Sequence, residues 1–146
     1  MSLNAMFRFV ALIFLLFLTA CGSPTPPTSF APGGEIVKSA IALSLNLTQE
    51  KVTKQLNASD PNLGVSQINV KNIEPIYIGH LPTYHLEGTY NLKIGLPEQE
   101  VTQKDNPFDI YIQRQKEGKS WRLVKRETDP EKETQWLTYF IHHGSF

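Results

Sequence analysis

Two sets of side chains in this sequence are of types that do chemistry. The first is Cys21, the only cysteine among 146 residues. A thiol is a nucleophile and a point of covalent attachment. Having no second cysteine to pair with, this one forms no disulfide within the chain. The second set centres on His85 and Glu87, with His80 shortly before them. Residues at i and i+2 share one face of a strand. An imidazole and a carboxylate placed so could ligate a metal ion, or act as a base and the group that orients it. Two groups on one strand do not complete a site, however. A third, Asp109 or Glu74, would have to come from elsewhere in the chain. The expectation is therefore a polar, solvated face bearing His85, Glu87 and Asp109, with no metal or cofactor assigned.

Other candidates carry less. His142 and His143 are neighbours, and in a strand they point to opposite faces. Arg114, Lys116, Lys119, Arg122, Lys125 and Arg126 crowd one segment. They could meet anionic head groups or an acidic partner, but Glu127, Asp129, Glu131 and Glu133 follow and offset them. The chain has no GxSxG elbow, no HExxH, no phosphate-binding GxxxxGK[ST] and no CxxC. Ser39, Ser44, Ser59 and Ser66 have no nucleophile context. The sequence leans away from an enzyme without excluding one.

The position of Cys21 is more informative. Phe9–Leu18 is an unbroken apolar run, "FVALIFLLFL", after a start whose charges are Arg8 and the amine. A membrane-crossing helix needs about 20 apolar residues. This run is about half that, and Pro24, Pro26 and Pro27 stop a helical extension past Cys21. Residues 1–20 are expected to be an export signal. The signal closes on Leu18-Thr19-Ala20-Cys21, which resembles the lipobox of bacterial lipoproteins. The resemblance implies a diacylglyceryl group on the Cys21 thiol and cleavage before it. It also implies a chain held on a membrane and facing the periplasm. Gly22, where an Asp often retains such proteins at the inner membrane, favours the outer membrane slightly.

Removing the first 20 of 146 residues leaves 126, enough for one domain with a real core. The mature chain holds 13 basic and 14 acidic residues, a balance that does not suggest nucleic acid as a partner. Residues 21–34, the lipidated cysteine followed by "GSPTPPTSFAPGG", read as a semi-rigid tether. Residues 35–146 are expected to form the domain.

Within it, Ile36, Ala40, Leu43 and Leu47, widened by Val37, Ile41 and Leu45, mark one broad helical face. Thr48 is placed to cap a second short helix, "QEKVTKQL". After Gly64 the apolar period becomes two. A strand from "INV" into "IYI" is expected to break at Pro75, which suggests an edge strand or a bulge. "YHLEGTYNLKI" puts Tyr84, Leu86, Tyr90, Leu92 and Ile94 on one face, with Gly88 among them as a bend or a close contact. "FDIYIQ" alternates again, "KEGK" suits a turn with Gly118 left-handed, and "SWRLV" follows. Residues 134–142 are strand formers and are assigned to a last strand, with a helix as the alternative.

The predicted fold class is α+β: one helix, or two, packed on a curved antiparallel sheet of four to five strands. The order of elements over residues 35–142 resembles the cystatin-like superfold, including nuclear-transport-factor-like domains. That resemblance implies a scaffold with many functions. Tyr84, Tyr90, Phe108, Trp121, Trp136 and Phe140 are expected in the core. Tyr84, Tyr90 and Trp121 would instead line a ligand pocket if the sheet's concave side is open. The expected function is a lipid-anchored envelope protein with a non-catalytic interaction domain. Its partners would be the membrane, through Cys21, and an envelope protein or small ligand. The alternative is a small-molecule-binding or hydrolytic pocket.

Overall fold

The apolar stripe that begins at Ile36 folds as a single helix. A computed structural model describes residues 25–56, 62–127 and 134–142. Helix α1 spans Gly34–Leu56, 23 residues without a break. Thr48 does not cap a second helix: its Oγ1 donates to the Ser44 carbonyl at 2.9 Å, a bond formed inside a continuous helix. Glu35 lies in the first turn, where it complements the exposed N–H groups. None of the described helices is long and apolar enough to cross a membrane.

Five strands follow: β1 (Asn62–Ile78), β2 (Leu81–Gly95), β3 (Glu100–Arg114), β4 (Trp121–Glu127) and β5 (Gln135–Phe140). They form one open sheet in the order β1-β2-β3-β4-β5, every neighbour antiparallel. The fold is thus α+β, with one N-terminal helix packed on a five-stranded antiparallel meander. Gly79 and His80, both at positive φ, make the tight turn that joins Ile78 to Leu81. Gly118 takes φ +71° in the β3–β4 turn, as "KEGK" suggested.

The expected break at Pro75 is absent. Pro75 pairs with Tyr84, and β1 is an edge strand, where a missing N–H is tolerated. The irregularities lie elsewhere, between Ser66 and Asn69 and between Val70 and Asn72. A further slip falls between Tyr90 and Leu92. Asn91 occupies that slip. It is buried, donates to Gln67 Oε1 and accepts from the Asp105 N–H at 3.0 Å. Gln67 and Asp105 both have positive φ, so one buried amide ties together the irregular backbone of three strands.

The core lies between α1 and one sheet face. Ile36, Val37, Ala40 and Ile41 meet Tyr84, Leu86, Ile110, Ile112 and Leu123. Each of the valine, leucine and isoleucine side chains among them contributes about 1.5–3 kcal/mol through burial. Gly88 is required here: a Cβ would overlap the Asn69 carbonyl and come within 2.8 Å of the Phe108 ring. The six aromatics divide. Tyr84, Tyr90 and Phe108 are buried and Trp121 is half-buried, but Trp136 and Phe140 are exposed. The register explains the split. Tyr139 stands opposite the buried Leu123, which turns Trp136, Thr138 and Phe140 to the far face.

The segment expected to be a spacer also packs. From Pro26 onward it lies against the domain: Pro26 and Pro32 are buried, Ala31 touches the core, and Thr28–Phe30 form one 3-10 turn. The Tyr84 hydroxyl, inside the core, donates to the Pro27 carbonyl at 2.7 Å.

Candidate functional site

Alternation along β2 sends His85 and Glu87 to the sheet face away from α1. Alternation along β3 does the same for Asp109 and Tyr111. The antiparallel register sets Glu74 opposite His85, His85 opposite Tyr111, and Glu87 opposite Asp109. Cross-strand neighbours of this kind lie within side-chain reach. The sequence-predicted set His85, Glu87 and Asp109 is therefore brought together, and Glu74 joins it.

His85 is the hub. Its Nε2 lies 2.7 Å from Asp109 Oδ1, and its Nδ1 lies 3.5 Å from Glu74 Oε2. Its ring is stacked on Tyr111, with centroids 4.3 Å apart and planes 7° from parallel. The Asn72 amide donates to Glu87 Oε2 at 3.0 Å, which orients that carboxylate. Although it stands on the solvent face, the His85 side chain is only 15% exposed. Burial is the largest single effect on its pKa and lowers it. The hydrogen bonds from Asp109 and Glu74, with the charges of Asp109 and Glu87, together outweigh burial and raise the pKa above 6.5. An imidazolium satisfies both carboxylates at once, because each ring nitrogen then donates.

One donor atom each from His85, Glu87 and Asp109 fall within 4.8 Å of one another, which makes them the candidate cation ligands among the described residues. The 2.7 Å spacing of Nε2 and Oδ1 is a hydrogen-bond distance. As folded, the cluster is arranged around a proton. His80 is not part of it, since it sits in the β1–β2 turn, roughly 17 Å along the strand.

The sequence did not reveal the aromatic continuation of this face. Tyr111 meets Trp136 edge-on at 5.6 Å, and Trp136 remains 41% exposed. Beside it the Arg122 guanidinium donates to Thr138 Oγ1 at 3.0 Å. The period-two pattern of "QWLTYF" carried the signal, but the choice of inward face depended on the β4–β5 register. The basic residues of this region do not form one patch. Arg122 and Arg126 pair with Phe140 and Trp136 in register, Arg114 is bonded to Gly118 O, and burial, then Lys51, lowers the Lys125 pKa. His142 lies beside the Phe140 ring at 4.8 Å; His143 is outside the described residues, as is Cys21.

Neither of two grooves among the described residues brings Tyr84, Tyr90 and Trp121 together. Tyr84 is fully buried, its ring tilted against Trp121 at 6.2 Å. Tyr90 lines an open groove of about 220 Å³ beside α1, with Ile41, Ser44 and Phe108, which neither of the other two lines. A neighbouring groove of about 280 Å³ runs along β3 and β4 from Ser44 to Arg126. Small-molecule sites are usually larger, about 300–1,000 Å³, and more enclosed.

No protein-family model matches the chain, and neither does any curated protein or solved structure.

Proposed function

We propose that this chain is an exported, lipid-anchored envelope protein whose domain binds another envelope component without chemical turnover. The anchor is Cys21, the domain faces the periplasm, and the outer membrane is favoured over the inner. The binding surface is the sheet face away from α1. One observation carries this reading: an exposed Trp136 sits edge-on to Tyr111, which is stacked on a half-enclosed His85 ringed by Glu74, Glu87 and Asp109. A partly exposed aromatic held by rigid neighbours and rimmed by charge is the usual make-up of a protein-binding hot spot. The grooves beside α1 are too shallow to favour the small-molecule alternative.

A photo-cross-linking residue placed at position 138, next to Trp136 on this face, tests the reading in cells. Position 101, also exposed but at the other end of the sheet, is the control. The expected result is a discrete protein adduct at 138 that Trp136→Ala abolishes, and none at 101. Equal adducts at both positions, or none at 138, would contradict it.

A further inference from the structure

We infer that the end of the sheet bearing Phe30, Tyr77 and the Lys116–Lys119 turn rests on the head groups of the bilayer that holds the Cys21 lipid. This rests on the anchor proposed above and adds an orientation to it.

Covalent reach comes first. Three residues lie between Cys21 and Thr25, four Cα-to-Cα steps, and an extended chain gains at most about 3.6 Å per step. The Cys21 Cα thus lies within about 14 Å of that of Thr25, and from Pro26 onward the chain packs against the domain. A spacer running to Gly34 would have left the domain free to tumble. The packed segment shortens the free tether to the few residues next to Cys21.

Topology then decides which end faces the membrane. The β1–β2 turn, the β3–β4 turn and the end of β5 all lie at one end of the sheet. Gln113 Nε2 donates to the Ile78 carbonyl at 2.9 Å, joining the first two. The bond from Tyr84 to Pro27 brings the N-terminal segment there. The Arg114 guanidinium lies 4.9 Å above the Phe30 ring while donating to Gly118 O at 2.9 and 3.1 Å. Phe30 and the β3–β4 turn are therefore held as one surface.

Its chemistry suits an interface between water and lipid. Phe30 is 53% and Tyr77 50% exposed, the two highest values among the exposed large hydrophobic residues described. Tyr, with a polar tip on an apolar ring, is enriched at head-group level, and a Phe ring can enter the boundary with the acyl chains. Lys116 and Lys119 are exposed at the same end and offer cations to anionic lipids; Glu117 between them stays ionised, its pKa lowered by the Ser120 hydroxyl, so these three side chains leave one net positive charge. At the opposite end, around the β2–β3 turn, Glu98 is exposed, Glu100 is paired with Lys93 at 3.4 Å, and the exposed apolar residues are the aliphatic Leu96 and Val101, with no exposed aromatic among the described residues there. Glu127, at the far end of β4, is paired with Lys51 at 3.8 Å.

The test places a photo-cross-linking residue singly at positions 30, 119 and 98 of the full chain in a bacterial host. Lipid adducts are measured by mass, and incorporation of an alkyne palmitate analogue is measured in the same samples. The expected result is incorporation in all three, with lipid adducts at 30 and 119 several-fold above those at 98. Incorporation with equal adducts at all three positions, or with more at 98, overturns the orientation and leaves the anchor standing. Absence of incorporation overturns the anchor, and the orientation with it.

Discussion

A histidine on the open side of a sheet usually titrates as it would in water. His85 does not, because Tyr111 covers one side of its ring and two carboxylates take its two nitrogens. Its folded-state pKa is raised above the unfolded value of 6.5. A group so shifted stabilises the fold fully below its unfolded pKa, and the contribution is lost as pH rises through the folded value. The domain should therefore lose stability between about pH 6 and about pH 8.5 by a component that His85→Gln removes. Urea midpoints of wild type and variant at the two pH values measure it. Parallel pH dependence in both proteins would show that the cluster does not hold the proton. Sequence periodicity places His85 and Glu87 on one face of their strand and Asp109 on the polar side of its own, but bringing Asp109 to His85 and stacking Tyr111 on the ring depend on strand register. Register is a property of the assembled sheet.

At the scale of elements, the type and order of nearly every segment follow from the sequence, because the apolar period changes cleanly from helical to alternating after Gly64. The misplacements have local causes. Thr48 has the chemistry of a cap, yet its hydroxyl bonds the Ser44 carbonyl one turn back, and no Gly or Pro between Thr48 and Leu56 stops the helix. Thr48→Ala should accordingly leave stability unchanged or slightly higher, whereas removing a true cap costs about 1 kcal/mol. A thermal melt of the variant distinguishes these. By alternation with Tyr90 and Leu92, Asn91 belongs to the outward polar side of β2, yet it is buried at the slip beside it, bonded to Gln67 and Asp105. Trp136 and Phe140 were assigned to the core on residue type alone, which says nothing about which face of β5 turns inward. Trp121 is different, for its ring packs half-buried against Tyr84 and under Arg114. Fully emptying a buried aromatic site costs about 3–5 kcal/mol, so Trp121→Ala should cost somewhat less, about 2–3 kcal/mol. A lower urea midpoint would register that loss. A midpoint equal to wild type would mean that Trp121 contributes little to the core.

The whole molecule is organised along one axis. A lipid on Cys21 would lie at one end, a packed N-terminal segment locks to the core through Tyr84, and the open face of the sheet leaves Trp136 exposed. Two or three acyl chains, at about 0.8 kcal/mol per buried CH₂, hold such a domain firmly. Every functional conclusion depends on that attachment. Metabolic labelling with an alkyne palmitate analogue, comparing wild type with Cys21→Ser and followed by membrane fractionation, tests it most directly. The account predicts label and membrane association in the wild type, and in the variant an unlabelled chain that is either released or left as an unprocessed precursor. Equal labelling of the two proteins would contradict it.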